Sequence, residues 1–321
     1  MCTSFLLKTD DGGAYLGRNM DLYYSLPARI VIMPRSYPLS FHSEGKPVHH
    51  YSIMGTAICK NGYPLYCEAV NEYGLAMSGL DFPDNASYCD ELKKDFYNVF
   101  PFELIPFVLS QCKNCDEAEK LLGEINLVNI PFSQDIPLSP LHWHIADTER
   151  SIVFEATKDG KKIYRNSLNV MSNNPPFDFH IANASQYLNL SSGQGNGSLK
   201  KLGVTPFSFG NGGIGLPGDL SSASRLVRAA YFLCNSVCER KNAVNQVFRL
   251  LSTVSMPRGS VVAKDGAYDI TFYSVCIDLT EKIYYFLSYD NMNVRAIRLT
   301  TEGSELIEFD VLTAEEPRFL N

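Results

Sequence analysis

Short runs of strand-like composition, most of them closed within a few residues by glycine, proline or aspartate, limit what this chain can fold into more than any other feature. Residues 2–7, 14–18, 30–33, 51–59, 64–69 and 76–80 are such runs. Strands this short, separated mostly by turn-like punctuation, are expected to pair antiparallel with their neighbours. Asp11-Gly12-Gly13, between the first two runs, is a hairpin-turn signal. Further runs at 141–146, 151–155, 161–164 and 169–171, and again at 270–278, 282–289 and 294–299, continue the pattern. Helices are expected between these blocks. The first, 102–112, follows Pro101 and should bend at Pro106. The second, 116–125, has an acidic first turn. A third, 223–239, is capped by Ser221 or Ser222, and a fourth covers 243–254. Strands, then helices, then strands again predict an α+β fold of antiparallel sheets with segregated helices. With no linker, repeat or break in composition, residues 1–321 read as one domain.

Composition removes several function classes. A net charge of −7, with lysines no more clustered than Lys161-Lys162 and Lys200-Lys201, is the opposite of a nucleic-acid-binding surface. No apolar run approaches the roughly 20 residues of a membrane span. The opening residues reach Asp10 and Asp11 with no basic leader, so a cytoplasmic protein is expected. Nine cysteines, an odd number, point to reduced thiols. Cys112 and Cys115 form a CxxC that no second pair completes into a zinc site. They read as small apolar residues, as do Cys59, Cys89, Cys234, Cys238 and Cys276. No metal and no cofactor is expected.

Cys2 is the residue with chemical promise. Met1 is normally excised when the second residue is small, and excision leaves a thiol and a free α-amine on one residue. Their ordinary pKa values, about 8.5 and about 8, allow both to exchange protons near neutrality. One residue then carries a nucleophile and its own general base. Gly17-Arg18-Asn19-Met20-Asp21 closes the second run, so a hairpin returns it toward Cys2. Arg18 could favour the thiolate, and Asp21 could accept hydrogen bonds from the amine.

Met-Cys-Thr at the start, Gly-Arg-Asn-Met-Asp at 17–21, Val70-Asn-Glu-Tyr-Gly-Leu-Ala-Met, Pro140-Leu-His-Trp, Ser172-Asn-Asn-Pro-Pro-Phe-Asp and Gly215-Leu-Pro-Gly-Asp-Leu-Ser-Ser-Ala-Ser-Arg recur in order along the chain. Together they resemble the choloylglycine hydrolase family, the N-terminal nucleophile (Ntn) hydrolases that include bile salt hydrolases and penicillin V acylases. The resemblance implies a four-layer αββα sandwich and a homotetramer. It assigns catalytic-site positions to Cys2, Arg18, Asp21, Asp81, Asn173 and Arg225, with the Asn173 amide and the Asp81 backbone N–H serving the oxyanion. Removing such a donor typically costs roughly 3 kcal/mol of transition-state stabilisation. The implied apolar pocket is lined by Met20, Cys67, Phe132, Ile136 and Leu141; Phe132 and Ile136 belong to a Pro-rich loop, 128–140, with nothing obvious to pack against. In one respect the chain departs from the pattern: bile salt hydrolases usually carry Asn, and penicillin V acylases Tyr, where this chain has Asp81. A carboxylate beside a developing oxyanion is unfavourable unless it points away or pairs with Arg225.

The resemblance implies hydrolysis of glycine- or taurine-conjugated bile salts, on the evidence of Pro64, Gly79-Leu-Asp-Phe-Pro and Pro140-Leu-His-Trp. Its rivals are a penicillin V acylase or acyl homoserine lactone amidase of the same fold, a binder of apolar amphiphiles that has lost its chemistry, and a thiol redox protein built on Cys112 and Cys115.

Overall fold

The structure, a computed structural model, describes residues 1–43, 49–195, 197–263 and 266–315. In chain order the strands are β1 (Cys2–Lys8), β2 (Ala14–Leu22), β3 (Arg29–Met33), β4 (Ile53–Lys60), β5 (Tyr63–Asn71), β6 (Ala76–Asp81) and β7 (Tyr97–Val99), followed by helices α1 (Leu104–Leu109) and α2 (Cys115–Glu124). Next come β8 (Ile125–Leu127), β9 (Leu141–Ala146), β10 (Ser151–Thr157), β11 (Gly160–Arg165), β12 (Val170–Met171), α3 (Phe177–Ala184), α4 (Ser222–Cys234) and α5 (Arg240–Ser252). The chain then forms β13 (Ile270–Asp278), β14 (Ile283–Ser288), β15 (Asn291–Arg298) and β16 (Ile307–Phe309).

Two large sheets result, one in the order β12-β1-β2-β13-β14-β15 and the other β11-β10-β9-β6-β5-β4-β3-β16. Every pairing within them is antiparallel. Leu6, Leu16 and Val275 of the first sheet meet Ile30, Met54, Val70 and Leu80 of the second in one buried cluster. The outer face of the first sheet buries Phe5 and Tyr15 under Leu226 of α4 and Val247 and Leu251 of α5. The outer face of the second buries Met77, Trp143 and Phe154 under Leu104 and Val108 of α1 and Leu122 of α2. The layers therefore run α, β, β, α, as the family resemblance implied. Each core leucine or isoleucine contributes roughly 1.5–3 kcal/mol through burial.

Three helical expectations change. The segment at 102–112 opens as a 3-10 turn, Pro101–Glu103, and its α-helix is only Leu104–Leu109. Pro106 lies in the first turn of that helix, where N–H groups have no intrahelical partner, so its missing donor costs no helix bond. Helix α4 ends at Cys234 instead of 239, and the Asn235 backbone and side chain both donate to the Tyr231 carbonyl. Ser221 occupies its N-cap position without a side-chain bond; Asp219 instead accepts from the Ser221 N–H and the Ser224 hydroxyl. Helix α3, masked in sequence by Pro175-Pro176, was not expected.

Register decides which side chains meet. Cys2 lies opposite Met20 and Ser4 opposite Arg18, with Gly12 of the connecting turn at φ 82°. The period of two then sends Cys2, Arg18 and Met20 toward the second sheet, and Thr3, Asn19 and Asp21 toward the helices. Two β-bulges adjust this. In β13 the bulge at Phe272 lets Thr271 face Asp21 while Tyr273 faces Met20. In β5 the pairing with β4 skips Cys67, passing from Glu68 to Tyr66. Bulges re-aim side chains in this way at many active sites.

Candidate active site

Cys2 begins β1, which is paired on both sides, and its buried side chain lines a cavity of about 490 Å³. That volume lies within the ordinary range for small-molecule sites. Met20, Cys67, Phe132, Ile136 and Leu141 all line the cavity, as do Arg18, Asp21 and Asp81. The Pro-rich loop contributes Phe132 and 135–140 to one wall. Phe132 is not free of packing within its loop: its ring meets His42, Tyr63 and Phe102.

On the thiol side, Arg18 Nη2 lies 3.5 Å from Cys2 Sγ and donates to the Gly79 carbonyl at 2.7 Å. Arg18 Nη1 donates to Tyr273 Oη at 3.2 Å and forms an ion pair with Glu68. Tyr273 and Tyr284 donate to the same carboxylate at 3.0 and 2.5 Å, and Tyr284 also contacts Thr56 Oγ1 at 2.7 Å. Arg18 and Glu68 are 1% and 0% exposed, so neither charge could be buried here without the other. Burial pulls the guanidinium pKa down, but the acidic thiols and phenols around it (Cys2, Tyr273, Cys67) leave it above its ordinary value. Sequence reasoning missed Glu68, Tyr273 and Tyr284. The available signal was Glu68 itself, a lone carboxylate inside the otherwise uncharged run Tyr63-Pro-Leu-Tyr-Cys-Glu-Ala-Val.

On the nitrogen side the structure carries Met1, which precedes β1. Met1 N donates to the Asp21 carbonyl at 2.7 Å, and the Asp21 N–H to the Met1 carbonyl at 2.8 Å. The Met1 ammonium also lies 3.4 Å from Asp269 Oδ2. The Cys2 N–H donates to Asn173 Oδ1 at 2.6 Å, and Arg225 Nη2 reaches the same oxygen at 2.8 Å. The expectation that the Asp21 carboxylate receives this nitrogen is therefore not met in the Met1-bearing chain. Asp21 Oδ1 accepts from Thr271 Oγ1 at 2.6 Å, while Oδ2 lies 3.8 Å from Arg225 Nη1 and has no hydrogen-bond donor among the described residues. Burial raises the Asp21 pKa, against the lowering effect of Arg225.

Arg225 is fully buried, not a surface or substrate-facing arginine, and Nη1 donates to the Cys2 carbonyl at 2.6 Å. Burial lowers its pKa, and Asp21 opposes the shift. It does not pair with Asp81. Asn173 donates one amide hydrogen to the Asp81 carbonyl at 2.7 Å, leaving its second N–H for another acceptor. Behind Asn173, His180 Nε2 contacts its carbonyl at 2.8 Å. His142 stacks on Phe82 at 4.1 Å and bonds Glu155, which also accepts the Phe177 N–H. Cys112 and Cys115 are buried and far from reactive. Burial pushes both thiols up, Cys112 to about 12, the reverse of what a redox pair requires.

A cysteine at the head of a strand in an antiparallel αββα sandwich, with its nitrogen held by an asparagine amide and its sulfur beside a buried arginine, defines the class of Ntn hydrolases acting on amides. The chain belongs to the choloylglycine hydrolase family of linear amide C–N hydrolases, whose profile matches residues 2–310. It is 41% identical over 311 residues to the bile salt hydrolase/transferase of Lactiplantibacillus plantarum, covering 96% of this chain and 95% of the relative. A crystal structure of a variant of the conjugated bile acid hydrolase from Clostridium perfringens superposes with a TM-score of 0.91 at 31% identity, each chain fully covered. Penicillin V acylase from Agrobacterium tumefaciens shares the fold, with a TM-score of 0.75 at 20% identity over 96% of this chain and 90% of the acylase.

Proposed function

We propose that this chain hydrolyses the amide bond of glycine- or taurine-conjugated bile salts, releasing free bile acid and the amino acid, with Cys2 as nucleophile once Met1 is gone. The observation that carries the reading is the placement of Cys2 Sγ, 3.5 Å from Arg18 in the lining of a largely apolar cavity. The names of the relatives support the substrate class.

In this reading the Cys2 thiolate, favoured by Arg18, attacks the amide carbonyl. The free N–H of Asn173 and the backbone N–H of Asp81 take the oxyanion. Asn173 Oδ1, itself fixed by Arg225, orients the α-amine, which passes a proton to the departing amine and then activates the water that cleaves the thioester. Atoms balance: one amide and one water give one acid and one amine. Met20, Cys67, Phe132, Ile136 and Leu141 hold the apolar acyl portion.

Residues 1–321 are read as one domain of a cytoplasmic homotetramer. Nine cysteines without a disulfide support a reducing compartment. Exposed apolar side chains at Leu188, Leu202, Phe207, Phe209 and Ile214 support an association surface. No helix among the described residues is long and apolar enough to cross a membrane.

The test is turnover of glycocholate, taurocholate and penicillin V by purified protein whose intact mass shows loss of Met1. Release of glycine or taurine is expected. Cleavage of penicillin V alone would replace the substrate assignment. A chain retaining Met1 should be inactive, having no free amine beside the thiol.

A further inference from the structure

Behind Asn173 lies a polar cluster that the proposed chemistry does not use. His142 on β9, Glu155 on β10 and His180 on α3 are all fully buried. Burying three titratable side chains is costly unless their hydrogen bonds fix something that apolar packing would leave loose. What they touch is specific. His180 Nε2 lies 2.8 Å from the Asn173 carbonyl. A carbonyl only accepts, and burial pulls the His180 pKa down, so the ring is neutral with its hydrogen on Nε2. Glu155 Oε1 accepts the Phe177 N–H at 3.0 Å and lies 3.1 Å from His142 Nδ1. The His142 ring stacks in turn on Phe82, with 4.1 Å between centroids and 7° between planes.

Asn173 and Phe177 belong to the segment that runs from β12 into α3, and Phe82 directly follows Asp81 at the end of β6. These two segments carry the oxyanion donors of the proposed mechanism, the Asn173 amide and the Asp81 N–H. They meet directly where Asn173 Nδ2 donates to the Asp81 carbonyl at 2.7 Å and Asn174 Nδ2 to the Pro83 carbonyl at 2.6 Å. A second tie runs behind them, from Phe82 through His142 and Glu155 to the Phe177 N–H. His180 adds a hold on the main chain of Asn173 itself.

From this geometry we infer that His142, Glu155 and His180 are positioning residues that set the two oxyanion-donating segments relative to each other. The inference rests on the amide-hydrolase reading above and deepens it. None of the three lines the cavity that holds Cys2, so a change in them reaches the reaction only through the donors. The oxyanion develops only as the amide carbonyl is attacked. A displaced donor therefore lowers kcat while substrate binding is nearly unchanged.

The test compares the mature wild-type chain with His180→Leu, which removes the donor, and His180→Gln, whose side-chain N–H replaces that of Nε2. The substrate is whichever of glycocholate, taurocholate and penicillin V the wild type turns over. Rates are normalised to the Cys2 that iodoacetamide alkylates, so loss of folded protein does not count as loss of catalysis. In His180→Leu kcat should fall by about 10–100-fold with KM within about threefold of wild type, and His180→Gln should recover most of the loss. The aldehyde of the substrate's acyl group accepts the Cys2 sulfur at its carbonyl carbon and the thiol proton at its oxygen. Its affinity should weaken with kcat, while that of the free acid stays constant. A kcat loss below about threefold, equal losses in the Leu and Gln variants, or a free-acid affinity that weakens with kcat overturns the inference and leaves the hydrolase reading intact. If His180→Leu does not fold, His142→Phe, which keeps a ring on Phe82 and removes the bond to Glu155, is held to the same split between kcat and KM. Failure of the mature wild type to cleave any of the three amides overturns the hydrolase reading, and the positioning role with it.

Discussion

Replacing Glu68 with glutamine removes one buried charge and keeps the shape. Gln retains a carbonyl oxygen for the Tyr273 and Tyr284 hydroxyls, which now donate to the carboxylate. Arg18, 1% exposed, stays protonated and loses its counterion. Breaking a buried pair from one side costs about 3–5 kcal/mol. For a protein of this size that lowers the melting temperature by roughly 5–15 °C. The chemistry should move the other way. Arg18 Nη2 is 3.5 Å from Cys2 Sγ, and the carboxylate lies beyond the guanidinium. That carboxylate opposes a negative charge on the sulfur, so its removal should make Cys2 a readier nucleophile. The assay is the pH dependence of iodoacetamide alkylation at Cys2, located by mass spectrometry because eight other thiols are present. Glu68→Asp serves as the control that retains the charge. A less stable protein whose Cys2 alkylates at lower pH is expected. An unchanged melting temperature, or an alkylation midpoint that moves upward, refutes the reasoning.

Asn173→Ala removes an oxyanion donor and the acceptor of the Cys2 nitrogen together, and should lower kcat on glycocholate by about 10²–10³-fold; a loss below threefold contradicts the assigned role. Burial raises the Glu155 pKa to about 7 and lowers those of His142 and His144 to about 3. The carboxyl's contribution to stability is full below its ordinary pKa and is lost as pH rises through about 7. The two imidazoles contribute fully above their ordinary pKa, and that contribution is lost as pH falls toward about 3. Between pH ~4.5 and ~6.5 the slopes oppose, so Glu155→Gln should steepen the loss of stability on acidification by about 1.4 kcal/mol per pH unit. Urea denaturation at several pH values measures this, and parallel slopes would exclude it. Phe207 and Phe209, 108% and 93% exposed, should reduce the assembly mass by light scattering when both become serine. A mass identical to wild type would remove this loop from the interface.

What was legible in sequence was local. The β1–β2 turn, the strand runs and the two residues closest to the sulfur follow from a hairpin whose register can be counted from Asp11-Gly12-Gly13. Asp21 shows what counting leaves open. It closes the strand that the hairpin returns toward Cys2, and was therefore read as an acceptor for the reacting α-amine. The pleat turns its carboxylate to the other face, and the bulge at Phe272 supplies Thr271 to meet it. Asn173 was read as a donor only, yet its oxygen carries as much of the geometry, because the loop after β12 brings it alongside Cys2. Glu68, Tyr273 and Tyr284 come from a second sheet and from strands more than 200 residues away, and no local pattern encodes such a meeting.

The two arginines show why the hairpin suits this chemistry. Arg18 and Arg225 are both buried and both face a carboxylate, Glu68 and Asp21 respectively, but they stand on opposite faces of the first sheet. Cys2 lies between them. Its side chain leaves the strand toward Arg18, and its backbone carbonyl is held by Arg225 from the helix side. Thiol and nitrogen, two atoms apart along one residue, are thereby given separate electrostatic surroundings. The thiol sits beside a guanidinium that favours its anion, while the nitrogen donates to the oxygen of the Asn173 amide. A nucleophile and a base on the same residue need this separation, since one field acting on both would stabilise the thiolate only by making the amine's role as proton carrier harder. The strand accomplishes it through its alternation of faces, which makes the position of Cys2 at the start of β1, with its nitrogen toward Asn173, a requirement of the proposed mechanism and not only of the fold.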